Sequence, residues 1–328
     1  DNYYLQSLIN LSNLSYIDVR DVKIYSGRNV NFQLSYQNIG RDFNDSPVVV
    51  VNHSLTGNSN VSGKDGWWKD LVGKGKLIDT NKFSVLSFNI PGNCFGNEKN
   101  DFVDELVLGD VAKAFNQAIL KLGINNVHSL IGGSVGGGLV WEMGILNPDL
   151  FDNLIPIASD YKSSDWLIAN THLQSKLLEN SSDPIFDARI HAMLTYRNPI
   201  SLNKRFLNQH DGNGRKVKSW LDYHGHNLKN RFQLKAYKVM NKFLSSIDVE
   251  SYSNSSFDEL MKKVKSNVYI ISIDSDLLFT DYEQREIYKK VSLVKKNVYY
   301  FQIRSDHGHD AFFIEYDQIS SFLKRCFK

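Results

Sequence analysis

The chain has 328 residues, of which 42% are hydrophobic and 23% charged, the balance of an ordinary globular protein large enough for one α/β domain carrying an insertion. Its formal net charge is +2, and the basic residues are scattered, which excludes a nucleic-acid stripe; Lys262-Lys263 and Lys295-Lys296 read as solvated edges. The cysteines Cys94 and Cys326 form neither a disulfide framework nor a metal site, and no run is apolar enough to span a bilayer. A cytoplasmic protein with no metal and no membrane or nucleic-acid partner is the expectation. Because the sequence begins at Asp1 rather than Met, it leaves room for a preceding leader or tag.

In chain order, Asp1 to Asn31 lacks strong periodicity, with a short alternating stretch from Asp21 to Tyr25 that reads as an edge strand. Phe32 to Tyr36 alternates as a half-buried strand does. Val48-Val49-Val50-Val51 is wholly apolar and β-branched, which predicts a strand buried on both faces. Phe83 to Phe88 is the next strand. Apolar residues at helical spacing between Val103 and Leu122 predict a helix closed by Gly123. Leu154 to Ala158 reads as a strand whose Pro156 favours an edge or irregular position. From about Ser163 to Phe257 no strand run is expected; Trp166–Leu178, Phe186–Tyr196, Val217–Tyr223 and Leu228–Leu244 are the helical candidates. Strand signals return at Val268–Ile273 and Val298–Ile303. This pattern predicts a mostly parallel, doubly wound sheet from 1–162 and 258–328, interrupted by a helical lid over 163–257.

The chemistry centres on Gly132-Gly133-Ser134-Val135-Gly136, which lies between a strand-like and a helix-like run. A Gly-x-Ser-x-Gly stretch in that context suits a sharp turn that lifts the serine hydroxyl clear of the sheet and aims the Val135 N–H at a developing oxyanion. A dinucleotide loop is set aside, because the Gly-x-Gly-x-x-Gly spacing is absent. A serine nucleophile needs a base and the base an orienting acid, in the chain order serine, acid, histidine. Asp276 follows the strand Val268–Ile273 and is favoured on placement over Asp274. His309 and His307 both follow the strand Val298–Ile303, and position alone does not separate them.

These landmarks resemble the homoserine O-acyltransferases of the α/β-hydrolase superfamily, the type that makes O-acetylhomoserine. The resemblance runs from about Val48 to the C-terminus. It is carried by His53-Ser54-Leu55-Thr56-Gly57, by Gly66-Trp67-Trp68 through Thr80, by the Ser134 motif, by Ala188-Arg189 with Thr195-Tyr196-Arg197, and by Asp276-x-Leu278-Phe279 and Gly308-His309-Asp310. It implies an α/β-hydrolase fold and a triad of Ser134, Asp276 and His309, selecting the last two over their neighbours. By the same resemblance, Ser134 takes an acetyl group from acetyl-CoA and passes it to L-homoserine, in methionine biosynthesis, with no permanently bound cofactor. The N–H groups of Leu55 and Val135 form the oxyanion hole. Arg189 clamps the homoserine carboxylate, Asp310 holds its ammonium group, and Tyr196 lines the same pocket. Against this stand a lid-surface Arg189 paired with Asp187 and a Tyr196 that only packs. The family's lids pair into dimers, so a homodimer through the lid is expected.

The chain departs from the family pattern at Asn97-Glu98-Lys99-Asn100, at Asn58 where an Asp is common, and at Arg231-Phe232-Gln233-Leu234. The alternatives are a plain serine esterase, an acyltransferase acting on another hydroxyl acceptor such as serine, and a binding protein that kept the fold without its chemistry.

Overall fold

The computed structural model describes residues 13–96, 99–212 and 214–328; residues 1–12 and the departure at Asn97-Glu98 lie outside them. Eight strands form one sheet: β1 (Ser15–Lys23), β2 (Asn29–Gly40), β3 (Val48–Asn52), β4 (Ser84–Phe88), β5 (Val127–Gly133), β6 (Phe151–Ile157), β7 (Asn267–Ile273) and β8 (Val298–Ile303). Their spatial order is β1-β2-β4-β3-β5-β6-β7-β8. The strands from β4 to β8 are parallel, and the β1–β2 hairpin closes one edge antiparallel.

The Val48–Val51 run is central because both of its faces are covered. Val48 and Val50 join one apolar cluster, and Val49 and Val51 the other. The first cluster packs helices α1 (Leu108–Lys121) and α2 (Val135–Leu146) on the sheet. The second cluster holds Trp67, Trp68 and Phe312. Gly123, at a φ of 82°, follows the end of α1 as its sequence predicts.

Two expectations about strands need correction. Of the strand expected at Asp21–Tyr25, Asp21 to Lys23 form the tail of a longer β1 that begins at Ser15, with an irregularity between Val19 and Val22 that includes Asp21 at positive φ, and Ile24 and Tyr25 lie beyond its end. That irregularity breaks the alternation a periodicity reading relies on. Pro156 sits in an interior strand rather than at an edge. Pro156 pairs with Gly132 of β5, and the pairing of β6 with β7 lapses between Leu154 and Ile157 without a change of register, the gap expected around a residue that has no N–H to donate.

Between β6 and β7 the chain forms α3 (Asp165–Asn180), α4 (Pro184–Tyr196), α5 (Pro199–Phe206), α6 (Lys216–Lys229) and α7 (Leu234–Ser245), then α8 (Phe257–Lys263). The expected helix Leu228–Leu244 is split, because the chain leaves the helical path around Arg231. Helix α5 and a two-residue ladder joining His210–Asp211 to Gly214–Arg215 were not expected. The signal for α5 is present: Asn198 accepts from the Ile200 N–H at 2.9 Å and Pro199 occupies the first turn. Helices α9 (Asp281–Val294) and α10 (Tyr316–Leu323) complete the alternation. Among the described residues no helix is long and apolar enough to cross a membrane.

Candidate active site

Ser134 stands at the junction of β5 and α2 with φ 60° and ψ −128°, a region that L-residues rarely occupy. The turn is locked by packing. A Cβ on Gly132 would lie 2.4 Å from the Gly136 carbonyl oxygen, and one on Gly136 would lie 2.7 Å and 2.8 Å from the carbonyl oxygens of Asn52 and His53. Only glycine allows this approach, which brings the start of α2 against the backbone that leads into Leu55. The Ser134 N–H donates to the Ile157 carbonyl at 3.0 Å, tying the turn to β6.

Asp276 lies three residues past β7. One of its oxygens, Oδ1, accepts the N–H groups of Leu278 at 2.7 Å and Phe279 at 2.9 Å, and Oδ2 lies 2.7 Å from His309 Nδ1. This arrangement stabilises the carboxylate and fixes the imidazole with Nδ1 protonated, leaving Nε2 to take a proton. Both side chains are buried. The His309 ring is stacked on Phe279, with centroids 5.6 Å apart, and is edged by Phe312. The rivals have other employment. Asp274 accepts from the Ser305 N–H at 3.0 Å, and His307 Nδ1 lies 3.2 Å from the Ser201 hydroxyl.

Ser134 and His309 share a cavity of about 50 Å³ with Leu55, Arg189, Tyr196, Arg231 and Asp310 among its lining residues. A larger surface cleft, about 730 Å³, is bounded by Lys69, Lys74 and Lys76 and shares none of these residues. Arg189 on α4 is buried, and its guanidinium carbon lies 5.5 Å from the centre of the Tyr196 ring. Burial pulls its pKa below the ordinary value. Asp187, the surface partner weighed for it, is bonded by the Ser181 hydroxyl. Tyr196 lines the cavity, with its ring 5.8 Å from that of His309.

Two more arginines of these helices and their ends bear on the pocket, Arg231 as a lining residue and Arg197 behind Asp310, and neither was singled out as a site residue in the sequence. Arg197 Nε lies 3.0 Å from Asp310 Oδ2, and both side chains are almost fully buried. Burial pushes the Asp310 carboxyl upward, and the guanidinium beside it opposes that shift. Arg231, in the break between α6 and α7, donates to the Thr56 carbonyl at 3.2 Å. Burial first, and then the nearby Arg189, lowers its pKa. Arg197 adjoins Tyr196 and Arg231 opens the Arg-Phe segment, so both stood inside recognisable motifs; their side-chain directions depend on how the lid helices fold back.

The pocket therefore combines a serine on a strained turn, a histidine–carboxylate pair, and buried guanidinium groups beside one carboxylate. This arrangement can carry an acyl group and hold a small charged acceptor. The sequence profile of the α/β hydrolase fold matches residues 47–316. The homoserine O-acetyltransferase of Cyclobacterium marinum is 31% identical, with 89% of this chain and 88% of that protein covered. The homoserine O-acetyltransferase of Methanosphaera stadtmanae is 30% identical over 98% of this chain and 75% of its own. Among solved structures, the homoserine O-acetyltransferase of Staphylococcus aureus superposes with a TM-score of 0.81 at 25% identity, covering 95% of each chain. A crystal structure of an esterase E22 mutant superposes at 0.84 with 14% identity over 96% of this chain and 100% of its own, a likeness of fold alone.

Proposed function

Since the chain belongs to the α/β-hydrolase fold and, within it, to the homoserine O-acetyltransferase family, we propose that it transfers an acetyl group from acetyl-CoA to the hydroxyl of L-homoserine in methionine biosynthesis, through an acetyl-Ser134 intermediate. The observation that carries this reading is the shared cavity, where Ser134 and His309 meet Arg189 and Asp310.

In the first half-reaction Ser134 Oγ attacks the thioester carbonyl while His309 Nε2 takes its proton. Asp276 holds the other ring nitrogen at 2.7 Å and stabilises the imidazolium that forms. The Val135 and Leu55 N–H groups receive the oxyanion, and one such donor is worth about 10²–10³ in rate. The thiol leaves with the proton from His309. In the second half-reaction His309 removes the proton of the acceptor hydroxyl, which attacks the acetyl carbonyl, and then returns that proton to Ser134 Oγ as the ester leaves.

Homoserine is a zwitterion at neutral pH. Arg189 presents a planar fork to its carboxylate, and Asp310 presents negative charge to its ammonium group, with Arg197 steadying that carboxylate. A plain esterase has no need of such a pair. Acetyl-CoA turnover, followed by free thiol with and without homoserine, tests the reading. Homoserine-dependent thiol release and an acetyl adduct on Ser134 are the expected results; release at the same rate without homoserine makes it an esterase.

The chain would work as a homodimer joined through the lid. Support comes from Trp166, Ile168, Leu173, Leu194, Ile200 and Tyr223, large apolar side chains of the lid helices that are exposed in the single chain. Light scattering at micromolar concentration checks this, and a monomer mass would remove it.

A further inference from the structure

His53 lies next to the proposed oxyanion loop, is completely buried, and takes no part in the steps above. Its ring is fixed on both edges. Nε2 lies 3.0 Å from the Ile90 backbone nitrogen and 3.2 Å from Asn93 Nδ2. A backbone N–H can only donate, so Nε2 is the acceptor and the proton of the neutral ring sits on Nδ1. From there it donates to the Ser54 carbonyl oxygen at 2.8 Å. That oxygen also accepts the Gly57 N–H at 2.9 Å, closing a turn over Ser54-Leu55-Thr56-Gly57. Arg231 fastens the same turn at the Thr56 carbonyl. Burial brings the His53 pKa down to about 4, which keeps the ring neutral at physiological pH.

The Ser54 carbonyl and the Leu55 N–H are opposite ends of one peptide group. Two hydrogen bonds accepted by the oxygen fix the plane of that group and draw electron density from its nitrogen, so its N–H becomes a better-aimed and stronger donor. Among the described residues none accepts a backbone hydrogen bond from Leu55. Leu55 lines the cavity with Ser134.

We propose that His53 is a positioning residue for acyl transfer: held in its Nδ1-protonated form between Ile90 and Ser54, it orients and polarises the Ser54–Leu55 peptide toward the oxyanion formed at Ser134. This rests on the acetyl-Ser134 reading. His53 touches no reacting atom, so its loss acts on the transition state and leaves donor binding alone.

The test uses His53→Ala and His53→Gln in the full chain. Single-turnover acetylation by acetyl-CoA should slow about 10- to 100-fold, less than the loss of a whole oxyanion donor, with KM for acetyl-CoA within about twofold. Affinity for an acetyl-CoA analogue bearing a trifluoromethyl ketone, which forms an oxyanion on the serine, should fall by the same factor, while affinity for free CoA holds. Equal losses for the ketone and for CoA, or acetylation at the wild-type rate, would overturn the proposal. If neither variant folds, nitrogen NMR of histidine-labelled wild-type protein decides. A His53 signal protonated on Nδ1 that does not titrate between about pH 5 and 9 is expected, and an Nε2-protonated or titrating ring overturns it. Failure of the underlying reading shows separately, as wild-type protein that acquires no acetyl group on Ser134.

Discussion

The pocket has a strand-built wall and a helix-built wall, and they hold their polar groups by different means. On the first, Ser134, Asp276 and His309 follow the ends of β5, β7 and β8 by one to six residues; backbone groups set Ser134 and Asp276, and Asp276 with Phe279 and Phe312 sets His309. Asp276 Oδ1 takes two N–H groups, and the Ser134 N–H is tied to β6. On the second, Arg189, Arg197 and Arg231 come from lid helices or their ends and are set by other side chains, by Tyr196 and Asp310, or by the Thr56 backbone. The strand-built wall is therefore suited to reaction chemistry, which needs sub-ångström constancy, and the helix-built wall to recognition. Substitutions on the first should lower turnover; those on the second should alter acceptor use or stability.

The largest effects belong to the strand-built wall. Ser134→Ala, His309→Ala and Asp276→Asn should each lower kcat about 10³-fold or more, and combined variants should lose little beyond the worst single one. Steady-state thiol release measures this. Should Asp274→Asn abolish activity while Asp276→Asn spares it, the acid has been misassigned.

On the helix-built wall the buried ion pair comes next. Arg197→Met leaves Asp310 buried without its guanidinium, a loss of about 3–5 kcal/mol in folding stability. Adding Asp310→Asn should restore much of that stability but not homoserine use. Urea unfolding of the two variants decides; a double variant no more stable than the single one would show that the pair does not govern the fold here.

Arg189→Ala should weaken transfer to homoserine by roughly 2–4 kcal/mol, the worth of a charge-assisted fork in a water-poor site. Acetylation of Ser134 should continue nearly unchanged, with slow hydrolysis of the adduct. Arg189→Lys should rescue little, because a point charge does not reproduce a planar fork. Stopped acylation and steady-state transfer on one variant separate the two walls. If acylation fails instead, Arg189 serves the donor.

The same division governs what the sequence reveals. Strand ends are legible because an apolar β-branched run announces each strand, and the residue a few places on must lie at the open end of the sheet. The strand-to-helix turn at Ser134 could be read from the residues alone, whereas preferring His309 to His307 took the family pattern. In the fold His309 faces Asp276 and His307 turns toward Ser201. The lid was less legible. Helix α5 is eight residues long and buries only Ser201, so no apolar stripe marks it, and the apolar spacing of α6 and α7 ran through the break at Arg231. Pro156 misled because its missing donor opens only a short gap toward β7, while its pairing with β5 and the register on both sides hold.

A last comparison separates buried ionisable groups that serve the pocket from one that serves the fold alone. Glu142 lies on α2, two turns beyond Ser134, and is fully enclosed. Burial raises its pKa to about 8, and Asp248 and Asp110 add to the shift while Lys113 and the Asp248 N–H, 2.9 Å from Oε1, oppose it. Near pH 7 the folded protein thus keeps a proton that the unfolded chain, with an ordinary glutamate near 4.5, has released. The sign follows from linkage. The stability this group contributes is fully present below about pH 4.5 and is lost as pH rises toward 8. Glu142→Gln keeps the oxygen that accepts the Asp248 N–H and removes the ionisation. Its stability relative to wild type should be flat below the glutamate range and should rise by about 4 kcal/mol on going to pH 8. Histidine contributions common to both proteins cancel in that difference. Acetyl transfer should be unchanged at either pH, unlike in any variant of the pocket walls. Thermal unfolding of the two proteins at about pH 5 and pH 8 measures it; a stability difference that does not change with pH would mean that Glu142 is ionised in the folded state and that α2 holds a buried charge after all.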